Sequence, residues 1–193
     1  MKIVGITGNS GAGKTTVCNI LKEKYAAHII DADEIARKLS KKGTMYLQSI
    51  VEYFGHDIID NRGELKRKEL ANLIYENEEK RNGLNELTFN YVVREIKNNI
   101  NRLKDKELIV IDAPLLFESN LDQVCDLVIG VIADEESKIE RICNRDKIDE
   151  EVAKKRLNIQ KNNEYIKEKA DYIIYNNASI EELEKQIEKI KLK

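Results

Sequence analysis

Eight residues close to the start of the chain, Gly8-Asn9-Ser10-Gly11-Ala12-Gly13-Lys14-Thr15, fit the pattern GxxxxGK[ST] at every fixed position. Glycines let such a loop wrap a phosphate chain without Cβ atoms intruding. Successive backbone N–H groups then point inward as an anion-binding nest at the positive end of the following helix. Lys14 has the reach to meet the β- and γ-phosphates, and the Thr15 hydroxyl can ligate Mg2+. The context is also right: an apolar run, Ile3-Val4-Gly5-Ile6-Thr7, stands before the loop, and Val17, Ile20 and Leu21 follow at helical spacing. These residues read as a nucleoside triphosphate site. A glycine-rich turn that merely joins strand to helix is the plainer alternative, and the complete pattern in its context disfavours it.

The loop does not say where the γ-phosphoryl goes. A small-molecule kinase, a GTPase switch and a motor or assembly ATPase all begin this way. A GTPase should show an NKxD-like base-reading motif after a central strand, and Val131-Ile132-Ala133-Asp134-Glu135 does not fit it. Assembly ATPases usually need more chain than 193 residues. For a kinase, Asp31-Ala32-Asp33 follows the second apolar run, on the rim where the phosphate loop emerges. A carboxylate there can take the proton of an attacking hydroxyl. Equally, Asp33 has the chemistry to cap a helix starting near Glu34. Asp112 closes the run Leu108-Ile109-Val110-Ile111, where it either holds Mg2+, directly or through water, or caps the strand before the Pro114 turn. Arg141 and Arg145 are four apart and share a helix face. With Arg156 they can neutralise charge on a transferring phosphoryl, although in so charged a chain most arginines are simply solvated.

These groups need elements to hold them. Five apolar runs (3–7, 28–31, 108–111, 127–132 and 171–175) have the length and β-branching of buried strands. Helical patterns separate them, which predicts parallel crossovers and a sheet covered on both faces. Residues from Glu34 to about Leu103 read as mostly helical, broken at 42–44, 54–55 and 61–63. Leu84, Leu87, Tyr91, Ile96, Ile100 and Leu103 trace one apolar face there. Glu135 to Arg145 reads as a helix, followed by one charged helical stretch from about Glu150 to Lys169. Ser179-Ile180-Glu181-Glu182 has capping-box spacing, and Ile180, Leu183, Ile187 and Ile190 form the stripe of a last helix.

Composition narrows the classes further. Hydrophobic residues are 41% and charged residues 35%, with a net charge of −2. That balance is globular, and it supplies no general basic field for nucleic acid. The absence of tryptophan also argues against a base-stacking surface. Cys18, Cys125 and Cys143 are odd in number and widely spaced, which reads as reduced thiols rather than a disulfide framework or a zinc site. With no apolar run of membrane length and no charged leader before the first strand, the expectation is a cytoplasmic protein.

Taken in order, IVGITGNSGAGKTTV, IIDADEIARK, FGHDIIDNRGELKRKELANLIYEN, DAPLLFES, ERICNRD, KKRLNIQ and ADYIIYNNAS resemble the dephospho-CoA kinase family over nearly the whole chain. IDADEIAR and APLLFE are far more specific than the phosphate loop. The resemblance implies an α/β P-loop kinase fold in a single domain. Its five-stranded parallel core would span 1–33, 105–135 and 170–193, with a helical acceptor-binding insertion at about 34–104 and a lid at about 141–168. It implies ATP and dephospho-CoA as partners, and phosphorylation of the ribose 3′-hydroxyl. Asp33 matches the family's proposed base and acceptor contact, and Arg141 and Arg145 match its lid arginines. Gly11, Ala12, Gly13, Lys14, Thr15 and Thr16 match its ATP loop, and Asn176 and Asn177 fall at its adenine region. Arg67 falls on the acceptor side. Where the family commonly carries His-Pro, this chain has Leu87-Thr88-Phe89-Asn90-Tyr91-Val92. The alternatives are a related nucleoside or nucleotide kinase and, from another class, a P-loop switch that works through partner binding.

Overall fold

The computed structural model describes residues 1–192. Five strands, β1 (Lys2–Thr7), β2 (His28–Asp31), β3 (Leu108–Asp112), β4 (Leu127–Ile132) and β5 (Tyr172–Tyr175), form one parallel sheet in the order β2-β3-β1-β4-β5. Helices α1 (Lys14–Tyr25), α6 (Glu135–Asp146), α7 (Glu150–Asn158), α8 (Asn163–Lys169) and α9 (Ile180–Glu188) accompany it. Alternation along each strand sends Val4, Ile6, Val110, Ile129, Val131 and Ile174 into one buried cluster. That cluster also takes Val17, Cys18 and Leu21 of α1 and Leu183 and Ile187 of α9. On the opposite face Gly5 lies against Leu116 and Cys125, and Gly130 against Ile166 of α8. The sheet is therefore apolar on both sides, as an all-parallel sheet must be.

The chain divides into two compact units: Met1–Asp31 with the chain from Arg102 onward, and Ala32–Asn101. The second unit contains α2 (Ala32–Leu39), α3 (Met45–Phe54), α4 (Arg67–Glu76) and most of α5 (Glu78–Arg102). Its own core is Tyr46, Ile50, Ile58 and Leu70, with Leu84, Leu87 and Tyr91 packed against them. Two hydroxyl pairs fix α3 to α5 within that unit: Tyr46 with Thr88 at 2.6 Å, and Ser49 with Tyr91 at 2.9 Å.

Several expectations are corrected. Helix α2 starts at Ala32, directly after β2, so Asp33 lies inside its first turn and not in front of it. The unit boundary accordingly falls before Asp33 rather than after it. The charged stretch 150–169 is two helices, because the Asn162 side chain accepts the Tyr165 N–H and starts α8 afresh. A lid beginning at 141 would start in the middle of α6, which runs unbroken to Asp146. The capping box at Ser179 does not form: its hydroxyl goes to Glu181, and the Glu182 carboxylate pairs with Lys185 instead. Ile180 is exposed, so the last stripe rests on Leu183, Ile187 and Ile190. The expected third core segment, 170–193, runs one residue past the described chain. Among the described residues no helix is long and apolar enough to cross a membrane.

Candidate active site

The phosphate loop leaves β1 at the centre of the sheet, between β3 and β4. Gly11 (φ 75°) and Gly13 (φ 95°) hold left-handed backbone, which L side chains rarely adopt. Space gives a second reason for glycine at both. A Cβ on Gly11 would strike the Lys138 carbonyl, and one on Gly13 would strike the Asn176 side-chain nitrogen. Within the loop, the Ala12 N–H donates to the Asn9 carbonyl at 3.1 Å. Among the described residues, the N–H groups of Gly11, Gly13, Lys14 and Thr15 make no hydrogen bond to the chain. Four donors thus converge at the start of α1, which is an anion site by geometry and by helix dipole. The Lys14 ammonium folds back onto the Gly8 carbonyl at 2.9 Å. Thr15 is exposed on the first turn and Thr16 is half-buried behind it.

Helix α6 supports the loop from the side. The Arg141 guanidinium donates to the Gly11 carbonyl and to the Asn176 carbonyl, both at 3.0 Å. One turn on, Arg145 donates to the Ser10 hydroxyl at 3.2 Å and grips the Asp146 carboxylate with two bonds of 2.8 and 3.0 Å. Arg156 of α7 donates to the same carboxylate at 2.7 Å. These two cations, Arg145 first, hold the Asp146 carboxyl below the usual carboxylate range. Sequence expected Arg141 and Arg145 on one face of a helix, and the structure brings both to the loop.

Asn176 is only 6% exposed, and its side chain donates to the Ala12 carbonyl at 2.8 Å, so that side chain supports the loop from beneath. Asn177 is exposed, and its side-chain oxygen accepts the Asp134 N–H at 2.8 Å.

Two carboxylates, Asp31 and Asp112, lie side by side at the ends of their strands. Asp112 ends β3 in register with Ile6 of β1 and Asp31 of β2. Its carboxylate takes the thiol hydrogen of Cys18, one turn beyond Thr15 on α1. Burial chiefly, and Asp112 next, push that thiol far above the ordinary cysteine range. Asp33 is exposed in the first turn of α2, two residues past β2. In the second unit, Arg67 donates to the Ser40 hydroxyl at 2.6 Å and the Arg37 carbonyl at 3.3 Å, tying the start of α4 to the end of α2. Phe89 is half-buried on α5.

Sequence reasoning missed Lys138 and Gln160, and carried Asp146 only as the last residue of ERICNRD. Lys138 is 7% exposed, and burial lowers its pKa from the ordinary lysine value. Gln160 reaches the loop from the turn between α7 and α8. Neither belongs to a motif, but KKRLNIQ did carry Gln160 within a stretch already singled out.

Comparison with known proteins places the sequence and the fold in one family. A family model, that of dephospho-CoA kinase, matches residues 2–182. The dephospho-CoA kinase of Fusobacterium nucleatum is 40% identical over 187 residues, covering 97% of this chain and 95% of its own. The solved dephospho-CoA kinase from Campylobacter jejuni superposes with a TM-score of 0.68 at 27% identity, covering 98% of this chain and 95% of that one. A solved Thermus thermophilus protein reaches a TM-score of 0.80 at 26% identity, covering 97% and 94%.

Proposed function

The chain belongs to the dephospho-CoA kinase family, and from that premise we propose how its residues divide the work. The reaction is ATP-dependent phosphorylation of dephospho-CoA, at the ribose 3′-hydroxyl, to give coenzyme A, the last step of coenzyme A synthesis. The observation that carries the assignment of residues is the set of four open N–H donors from Gly11 to Thr15, with Lys14 and two arginines around them.

The four N–H groups, with Ala12 held in place among them, receive the β-phosphate. Lys14 exchanges the Gly8 carbonyl for oxygens between the β- and γ-phosphates, a short swing for a flexible stem. Arg141 fixes the loop through Gly11, and Arg145, already at Ser10, offsets charge that spreads over the transferring phosphoryl. Asp33 accepts the proton of the attacking hydroxyl, and Arg67 serves the acceptor side. Thr15 and Asp112 suit Mg2+: a hydroxyl and a carboxylate are hard oxygen donors, and this ion is commonly held by one or two side chains plus phosphates. When bound, Mg2+ supplies charge neutralisation across the β- and γ-phosphates. The three free cysteines fit a reducing compartment, and cytoplasmic action is part of the same reading.

The test is ADP release from ATP with dephospho-CoA, with nucleoside monophosphates and with no acceptor. Turnover only with dephospho-CoA is the expected result. Acceptor-independent turnover would instead support the switch, and preference for a nucleoside monophosphate a related kinase.

A further inference from the structure

Two positions of the phosphate loop, Asn9 and Ser10, are wildcards in the motif, yet the structure spends several hydrogen bonds on them. The Ser10 N–H donates to the Gln160 side-chain oxygen at 3.0 Å. The Asn9 side chain donates to the Lys161 carbonyl at 2.9 Å. Gln160 and Lys161 lie in the turn between α7 and α8, a turn fixed from both sides. On one side α7 packs Ala153 and Leu157 against Ile139 and Ile142 of α6. On the other, Ile166 of α8 lies on Gly130 of β4, and Asn163 donates to the Ala133 carbonyl at 3.4 Å. A firmly held turn thus takes hold of the phosphate loop beside its anion donors.

The division of N–H groups is informative. Ser10 has its donor engaged by Gln160, whereas the four donors from Gly11 to Thr15 stay open. Gln160 therefore grips the flank of the anion site and leaves the site itself clear. We propose that Gln160 is a positioning residue for the phosphoryl donor. By holding Ser10, it keeps the loop in its phosphate-binding shape before nucleotide arrives, and it sets the spacing between the loop and the Arg145–Asp146–Arg156 cluster. A neutral carboxamide suits the task, since it supplies the acceptor without placing an anion beside a triphosphate. A loop already ordered loses less conformational freedom on binding, and the gain appears as nucleotide affinity.

This inference rests on the nucleotide site assigned above, so its test uses a product that binds there without turnover. ADP affinity is measured by calorimetry for the intact protein and for Gln160→Met, which keeps the length but offers no comparable acceptor. Loss of one net hydrogen bond should weaken ADP about three- to tenfold. The KM for dephospho-CoA should stay within about twofold and the melting temperature within about 2 °C, equivalent to a fraction of 1 kcal/mol in a chain this long. Amide exchange at Ser10 should accelerate in Gln160→Met and remain slow in Gln160→Glu, which retains the acceptor. Unchanged or tighter ADP binding in Gln160→Met overturns the proposal, the second outcome marking the contact as a plug that nucleotide displaces. A lower melting temperature with unchanged ADP affinity makes Gln160 merely structural. A wild-type protein that binds no ADP overturns the site assignment and the role of Gln160 with it.

Discussion

Asp33 is exposed, stands two residues beyond the end of β2 and carries its charge in the first turn of a helix. Such a carboxylate is favoured by the helix dipole, worth about 0.3–1 kcal/mol at an exposed position. The same carboxylate is the assigned acceptor-side base, and the two roles separate in kinetics. Asp33→Asn keeps size and hydrogen bonding but cannot take a proton. It should lower kcat about 10²- to 10⁴-fold with little change in ATP binding. The lower end is expected, because phosphoryl transfer is loose and its transition state moves the proton little. Asp33→Ala should add only the small dipole loss to the melting curve. If Asp33→Asn turns over like wild type, the base lies elsewhere, and Asp31 and Asp112, side by side at the ends of their strands, are next to be tested.

Strand positions were legible element by element, because all-parallel strands are short, continuous and apolar. All five differ from the expected bounds by no more than one residue at either end. The loop and its glycines were equally legible, since the motif is local. What sequence did not show was contact across long separations: Asn176 beneath Ala12, 164 residues away, and Gln160 on Ser10, 150 away. Nothing in local periodicity marks either pair. Cap chemistry was misread for another reason: Asp33 lies inside the first turn of α2 rather than before it, and Ser179, which does stand at the N-cap of α9, makes no side-chain cap hydrogen bond. In α5, the residues standing in place of His-Pro can be assigned by one variant. Phe89 is half-buried, so Phe89→Ala should destabilise by less than the ~3–5 kcal/mol of a fully buried phenylalanine. If packing is its whole role, KM for dephospho-CoA stays put. A raised KM at unchanged melting temperature would make Phe89 an acceptor contact.

At the scale of the whole molecule, two thiols set how stability responds to alkaline pH. Burial pushes Cys18 far up, with Asp112 adding to it, and burial pushes Cys125 up to about 12, with Asp122 adding to that. In an unfolded chain both ionise near about 8.5. Below that pH both states keep the proton, and the contribution of each thiol to stability is fully present. Above it the unfolded chain releases protons that the folded chain retains, so unfolding gains and stability falls. The slope approaches about 1.4 kcal/mol per pH unit for each thiol. Tyr46 and the paired lysines Lys24, Lys154 and Lys167 are also raised, but their unfolded values lie at about 10 or above. Among the groups raised by folding, the window from about pH 8.5 to 10 therefore belongs to the cysteines, while Lys138, lowered by burial, acts in the opposite sense as pH rises. Urea unfolding across that window should show a steady fall for wild type and a shallower one for Cys18→Ala, even though that variant starts less stable at pH 7.5. Removing Cys125 as well should flatten the curve further. Parallel curves for all three proteins would mean that the thiols ionise alike in folded and unfolded chains, and that the hydrogen bond between Cys18 and Asp112 is not made in solution.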